Sequence, residues 1–139
     1  MSAMGVHIGE WLGVPAPATD AEVFELVQGR LDTSVVQLLL QLGFERKEID
    51  AVIIPLRTLQ HRRSRGEKLT IEESDRALGV LRILSRAEEV YSSPERALAW
   101  LRRPNPRLKD RVPLLLLNTS VGSRMVEELL IQIDEGMFI

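Results

Sequence analysis

The chain of 139 residues has no cysteine. Disulfides, thiolate-bound zinc and thiol nucleophiles are excluded with it, and a reducing cytoplasm is the expected compartment. Histidine is almost as scarce: His7 and His61 stand far apart in different settings. A metal site would therefore need a carboxylate-rich cluster, and none is spaced for one. No phosphate-binding glycine loop, nucleophile elbow or dinucleotide fingerprint occurs. The pairs Glu72-Glu73, Glu88-Glu89 and Glu127-Glu128 fall at helical surface positions and read as solvated charge. No catalytic residue, metal or cofactor is expected, and the chain does not read as an enzyme. Aromatics make up only 4%, so a core must come from Leu, Ile, Val and Ala, for which 45% hydrophobic residues suffice. No apolar run approaches the length of a membrane span. The first residues lack a basic stretch followed by an apolar one, so a secretory signal is not expected. Repeats at solenoid periods are absent as well.

What is present is helical patterning and uneven charge. The net charge of −2 conceals one basic residue, Arg30, against six acidic ones before Arg46, and then five basic residues against Glu67 alone from Arg57 to Lys68. Residues 1–19, with Gly5, Gly9, Gly13, Pro15 and Pro17, read as an arm without stable structure of its own on which Trp11 and Leu12 could dock. Thr19 or Asp20 caps a first helix whose apolar face is Val23, Leu26 and Val27, ending near Gly29. Val35, Leu38, Leu39 and Leu42 set a second helix over 32–42, with Gly43 as its cap.

Arg46 to Ile53 is a short third helix, and Pro55 forces a tight turn near Ile54 before a fourth helix over 56–65. Two short helices about a tight turn, the second one basic, have the layout of a helix-turn-helix. The second carries Arg57, Thr58, Gln60, His61, Arg62, Arg63 and Arg65, with Lys68 just beyond, while Leu56 and Leu59 anchor it. Arg, Gln and Thr can reach base edges, and Arg and Lys neutralise phosphates. The segment by itself fits a DNA-reading helix and a solvated charged helix equally.

Thr70 to Glu73 is a capping box that opens a long helix to about Tyr91. Its polar stripe is narrow, formed by Asp75, Gly79, Arg82, Arg86 and Glu89. The rest is apolar, as in a helix buried on two sides and serving two cores. Ser93-Pro94 starts a short helix, Pro104-Asn105-Pro106 breaks it, a basic loop runs through Arg111, and Pro113 begins one apolar turn. Thr119 or Ser120 caps the last helix, to Glu135, with Val121, Met125, Val126, Leu129, Leu130 and Ile133 as the expected buried face. Ile131 points the other way, among Arg124, Glu128 and Glu135, and Gly136 suits a left-handed cap.

Three segments carry a resemblance. They are Ile54-Pro55-Leu56-Arg57-Thr58-Leu59-Gln60-His61-Arg62-Arg63, then Leu69-Thr70-Ile71-Glu72-Glu73-Ser74-Asp75-Arg76-Ala77, then an ordered set from Ala87 to Gly136. That set includes Ala97-Leu98-Ala99-Trp100-Leu101, Pro104-Asn105-Pro106 and Gly122-Ser123-Arg124-Met125-Val126-Glu127-Glu128-Leu129-Leu130. Collinear over about residues 20 to 139, the chain resembles antitoxins of the Xre/MbcA/ParS group, partners of RES-domain toxins. The resemblance implies an all-α protein. An Xre-like helix-turn-helix domain over 20–68 would bind the operon's operator. A connecting helix over 69–91 would join it to a toxin-binding domain over 92–139. RES toxins consume NAD, and in this group the last helix and tail block the NAD pocket. Carried over, that role falls to Gly122, Arg124, Glu127, Glu128, Ile131, Gly136, Met137, Phe138 and Ile139. A homodimer, a higher-order toxin complex and autoregulation are implied with it; the rival is a stand-alone regulator with an oligomerisation domain. The chain departs from the group's pattern in two places. Lys109-Asp110 stands where a glycine pair is common, and the helix-turn-helix turn lacks glycine.

Overall fold

The computed structural model describes residues 3–17 and 19–137. The helices are α1 Ala3–Leu12, α2 Asp20–Gln28, α3 Ser34–Gln41, α4 Arg46–Val52, α5 Leu56–Ser64, α6 Ile71–Tyr91, α7 Pro94–Arg102 and α8 Ser120–Asp134. Two 3₁₀ segments, Pro106–Leu108 and Pro113–Asn118, lie between α7 and α8. The one extended pairing among the described residues is an isolated bridge between Asn105 and Arg111. The architecture is all-α, as the periodicity requires.

Helix starts follow local chemistry. Thr19 accepts the Glu22 N–H, Thr70 that of Glu73, Ser93 that of Arg96 and Thr119 that of Gly122. Each satisfies a backbone donor that the first helical turn leaves without a partner. Glu73 Oε1 in return accepts the Thr70 N–H at 2.8 Å, completing the capping box. At α5 the cap comes from a neighbour: Asp50 Oδ1 in α4 accepts the Leu56 N–H at 2.8 Å. Pro55 is thus the cap residue itself rather than the first helical residue.

α6 is the centre of the molecule. α1, α2 and α3 pack on it from the N-terminal half, and α7, α8 and the second 3₁₀ segment pack on it from the C-terminal half. Ala77, Leu78, Val80, Leu81, Ile83, Leu84 and Ala87 are all buried. The second 3₁₀ segment also rests on α4, so the halves touch away from α6 as well. A tie there is Arg102 at the end of α7. Its Nε donates to Glu48 Oε2 at 2.9 Å, and its Nη2 donates to Glu48 Oε1 at 2.9 Å and to the Gly43 carbonyl at 2.7 Å. Glu48 in addition accepts the Glu45 N–H at 2.8 Å.

The reading of residues 1–19 as an unstructured arm does not hold. Ala3–Leu12 is a helix packed on α6, with Ile8 in the core and Trp11 and Leu12 half-buried against it. Ser85 Oγ of α6 lies 3.1 Å from His7 Nδ1, and Glu88 Oε2 lies 3.6 Å from the same nitrogen. Gly9, which looked like a breaker, is where the returning chain passes: a Cβ there would lie 2.9 Å from Ala16 Cα.

The loop with Lys109-Asp110 also departs from what residue type alone suggests. Both residues adopt left-handed backbone, at φ of 57° and 62°. The Asp110 and Lys109 N–H groups bond back to the carbonyls of Asn105 and Pro106. A pair of side-chain-bearing residues thus holds a conformation that glycine adopts without steric cost.

Candidate functional site

Two surfaces carry the residues singled out in the sequence. The first is α5. Its Leu59 is buried and its Leu56 half-buried, which fixes the opposite face outward. Arg57, Gln60, His61, Arg63 and Arg65 are exposed there, with Thr58 half-buried beside them. Lys68 is exposed near the base of the helix, where its Nζ donates to the Gly29 carbonyl at 3.3 Å.

Arg62 is the exception. Its Nη2 lies 3.1 Å from Glu73 Oε2 and its Nη1 lies 3.9 Å from Glu67. The guanidinium therefore braces the α6 capping box instead of facing outward. Periodicity carries the signal: position 62 follows Leu59 by three residues, on the buried side of the helix.

The second surface is α8 and the residues after it. Arg124 and Glu128 are exposed, while Glu127 and Ile131 are half-buried. Gly136 is left-handed at φ 73°. The Gly136 and Met137 N–H groups close onto the Ile133 and Gln132 carbonyls, each at 3.0 Å, in a paired capping arrangement. Met137 leaves that cap 60% exposed. Phe138 and Ile139 lie outside the described residues.

Two readings of α8 are corrected. Gly122 is buried rather than presented to a partner: a Cβ there would fall 1.9 Å from the Leu116 carbonyl oxygen. Its place is the crossing of the second 3₁₀ segment over α8. Val121 and Met125, expected inside, are 59% and 42% exposed. The true buried stripe runs Gly122, Val126, Leu129 and Leu130, with Ile133 partly buried. Glycine has no hydropathic weight, so an apolar count moves the centre of the face one residue toward Val121. In consequence an apolar pair, Val121 and Met125, joins Arg124 and Glu128 on the open surface.

Titration is perturbed at the tie between α4 and α7. Burial pushes the Glu48 carboxyl up, but the hydrogen bonds from Arg102 and the Glu45 N–H, with the Arg102 charge, outweigh it and hold Glu48 below its ordinary range. Arg102 is raised in turn, chiefly by its bonds to Glu48. Burial holds Glu88 above its ordinary range beside His7. Among the described residues no three His, Asp or Glu side chains are grouped to hold a metal, and no helix is long and apolar enough to cross a membrane.

A helix-turn-helix with a cationic second helix, joined through a shared helix to a second helical unit with an open last helix, defines a two-part binding protein. Residues 23–82 match the antitoxin Xre-like helix-turn-helix domain, and residues 86–136 match the antitoxin Xre/MbcA/ParS C-terminal toxin-binding domain. The Antitoxin Xre of Pseudomonas putida is 37% identical over 126 residues, which is 90% of this chain and 79% of that protein. The Prs ADP-ribosylating antitoxin of Sphingobium sp. is 30% identical over 98 residues, 64% of this chain and 62% of that protein. The Antitoxin Xre of Yersinia enterocolitica is 28% identical over 129 residues, 91% of this chain and 87% of that protein. The chain belongs to the Xre/MbcA/ParS family of type II antitoxins.

Proposed function

We propose that this antitoxin neutralises a RES-domain, NAD-consuming toxin by laying α8 and the segment after Gly136 over the toxin's NAD pocket. The observation that carries the reading is the open surface of α8. Val121, Met125 and Met137 are apolar groups left in water after the helix has buried its core stripe, and Arg124 and Glu128 stand beside them. An apolar patch edged by charge is what a desolvating protein interface needs. The name of the Sphingobium relative links it to ADP-ribosylation, a chemistry that draws on NAD.

Operator binding belongs to the same proposal. Arg57, Thr58, Gln60 and Arg63 would meet base edges and phosphates, with His61, Arg65 and Lys68 on the flanks and Arg62 behind them holding the helix in place. Reading two half-sites requires two copies, so the active repressor is a homodimer. The decisive experiment is deletion of Gly136–Ile139. The complex with the co-expressed toxin is purified and assayed for NAD consumption, and the same preparation is tested for operator binding. Restored NAD consumption with operator binding intact is the expected result. Unchanged inhibition after the deletion refutes the pocket-covering role of the tail. Absence of any NAD-consuming partner leaves the chain as a DNA-binding regulator.

A further inference from the structure

α6 carries a polar stripe outside the proposed DNA-binding surface, and part of it lines a cleft shared with Arg124 and Glu127 of the proposed toxin-binding face. Gly79 and Arg82 of the stripe, with Arg76 beside them, face Ser120, Ser123 and Arg124 at the start of α8 across a cavity of about 270 Å³. Asp75 and Glu127 also line it, so three guanidiniums stand against two carboxylates and the lining is net cationic. Arg82 Nε is sealed from solvent yet has no hydrogen-bond partner. Among the described residues no carboxylate oxygen lies within 4.0 Å of the Arg82 or Arg124 guanidinium. A sealed atom is closed to a ligand as well, so what the cleft offers an anion is the remaining charge of Arg82 and Arg124, both of which line it without a carboxylate partner among the described residues.

The space is built into the helix. A Cβ on Gly79 would meet only Ser123 Oγ, at 3.8 Å, so any larger side chain there would fill the cleft. Across it, the Ser120 and Ser123 hydroxyls lie in the first turn of α8, where the helix dipole adds to the cationic field. Arg76 extends the lining toward the DNA-binding half, since its Nε donates to the Ile53 carbonyl in the helix-turn-helix turn at 2.9 Å.

From this we infer that the cleft between α6 and α8 binds a small hydroxylated phosphate monoester of sugar-phosphate size. Arg82 and Arg124 take the phosphate oxygens, the geometry guanidinium is built for. Asp75 and Glu127 accept bonds from the ligand's hydroxyls, which accounts for carboxylates in an anion site. The volume lies just below the roughly 300 Å³ at which ligand pockets usually begin, which suits a small ligand.

The test uses the full-length chain, with ribose 5-phosphate and inorganic phosphate as probes, followed by calorimetry and by amide chemical shifts. Saturable binding of ribose 5-phosphate is expected, with shifts centred on Gly79, Ser120 and Ser123 and at least tenfold weaker binding of inorganic phosphate. Arg82→Met and Arg124→Ala should each weaken it tenfold or more, and Gly79→Leu should abolish it. Because Gly79→Leu strains the packing, Ser123→Ala serves as the milder variant and should weaken binding severalfold with the melting temperature unchanged. No saturable binding to the unmodified chain, equal affinity for inorganic phosphate, or binding that survives both Gly79→Leu and Arg82→Met overturns the proposal.

Discussion

Replacing Arg102 with alanine removes the tie between α7 and α4, and its cost can be worked from the bonds involved. Three are lost: two to Glu48 and one to the Gly43 carbonyl, all between 2.7 and 2.9 Å. Hydrogen bonds to charged groups contribute about 1.5–3 kcal/mol each, and bonds from one guanidinium do not add independently. Water replaces part of the loss at Arg102, whose side chain is 33% exposed, but little of it at Glu48, at 10%. A net loss of about 2–3 kcal/mol is expected, or on the order of 10 °C in melting temperature for a domain of this size. Urea unfolding of Arg102→Ala, Glu48→Gln and the double variant measures it, with the double costing well under the sum of the singles. The pair also dictates a pH signature. The folded Glu48 carboxyl lies below its unfolded value, so the pair's contribution is complete above about pH 4.3 and is lost as pH falls from there through the folded value. The slope of stability against pH in that acid range should flatten in Arg102→Ala. A loss below 0.5 kcal/mol (order of a surface pair), or additive singles, would refute the argument that this bond pair fixes the two halves together.

Three further outcomes follow from the geometry. Arg57→Ala and Arg63→Ala should weaken DNA binding across sequences and each lower the salt slope by about one, whereas Arg62→Ala should first lower the melting temperature; fluorescence anisotropy over a salt series, beside thermal unfolding, separates them. Gly122→Ala should destabilise by about 1–3 kcal/mol or prevent folding, since the Leu116 backbone must move to admit the methyl; denaturant midpoints read this, and a neutral result contradicts the close crossing. Lys109→Gly and Asp110→Gly should each be neutral or stabilising by up to about 1 kcal/mol, because relief of left-handed strain offsets the added chain entropy of glycine; a clear loss of thermal stability in both would show that their side chains hold the loop.

Much of this was legible in the residues because it is local chemistry. Thr19, Thr70, Ser93 and Thr119 announce helix starts through their capping oxygens, and the run from Ala77 to Ala87 announces a helix buried on two sides. The features that escaped depend on approach between distant segments. Gly9 and Gly122 look like breaks or surface positions until the backbone that crosses each is in place. Arg62 looks like its neighbours Arg57 and Arg63 until Glu73, eleven positions on, arrives beside it. Among the candidate contacts, the exposed side of α5 was readable from Leu56 and Leu59, whereas the open side of α8 was displaced by one residue because a glycine carries packing without hydropathy.

The two family matches meet between residues 82 and 86, inside α6, which runs unbroken from Ile71 to Tyr91. What two family descriptions divide is therefore, in this chain, one continuous body with no joint at its seam. A cut at that seam does not release two independent domains. It splits the helix on which both are assembled and leaves each fragment with apolar surface that the other used to cover. Loss of the protein to proteolysis should accordingly be all-or-none, with both halves unfolding as a single event.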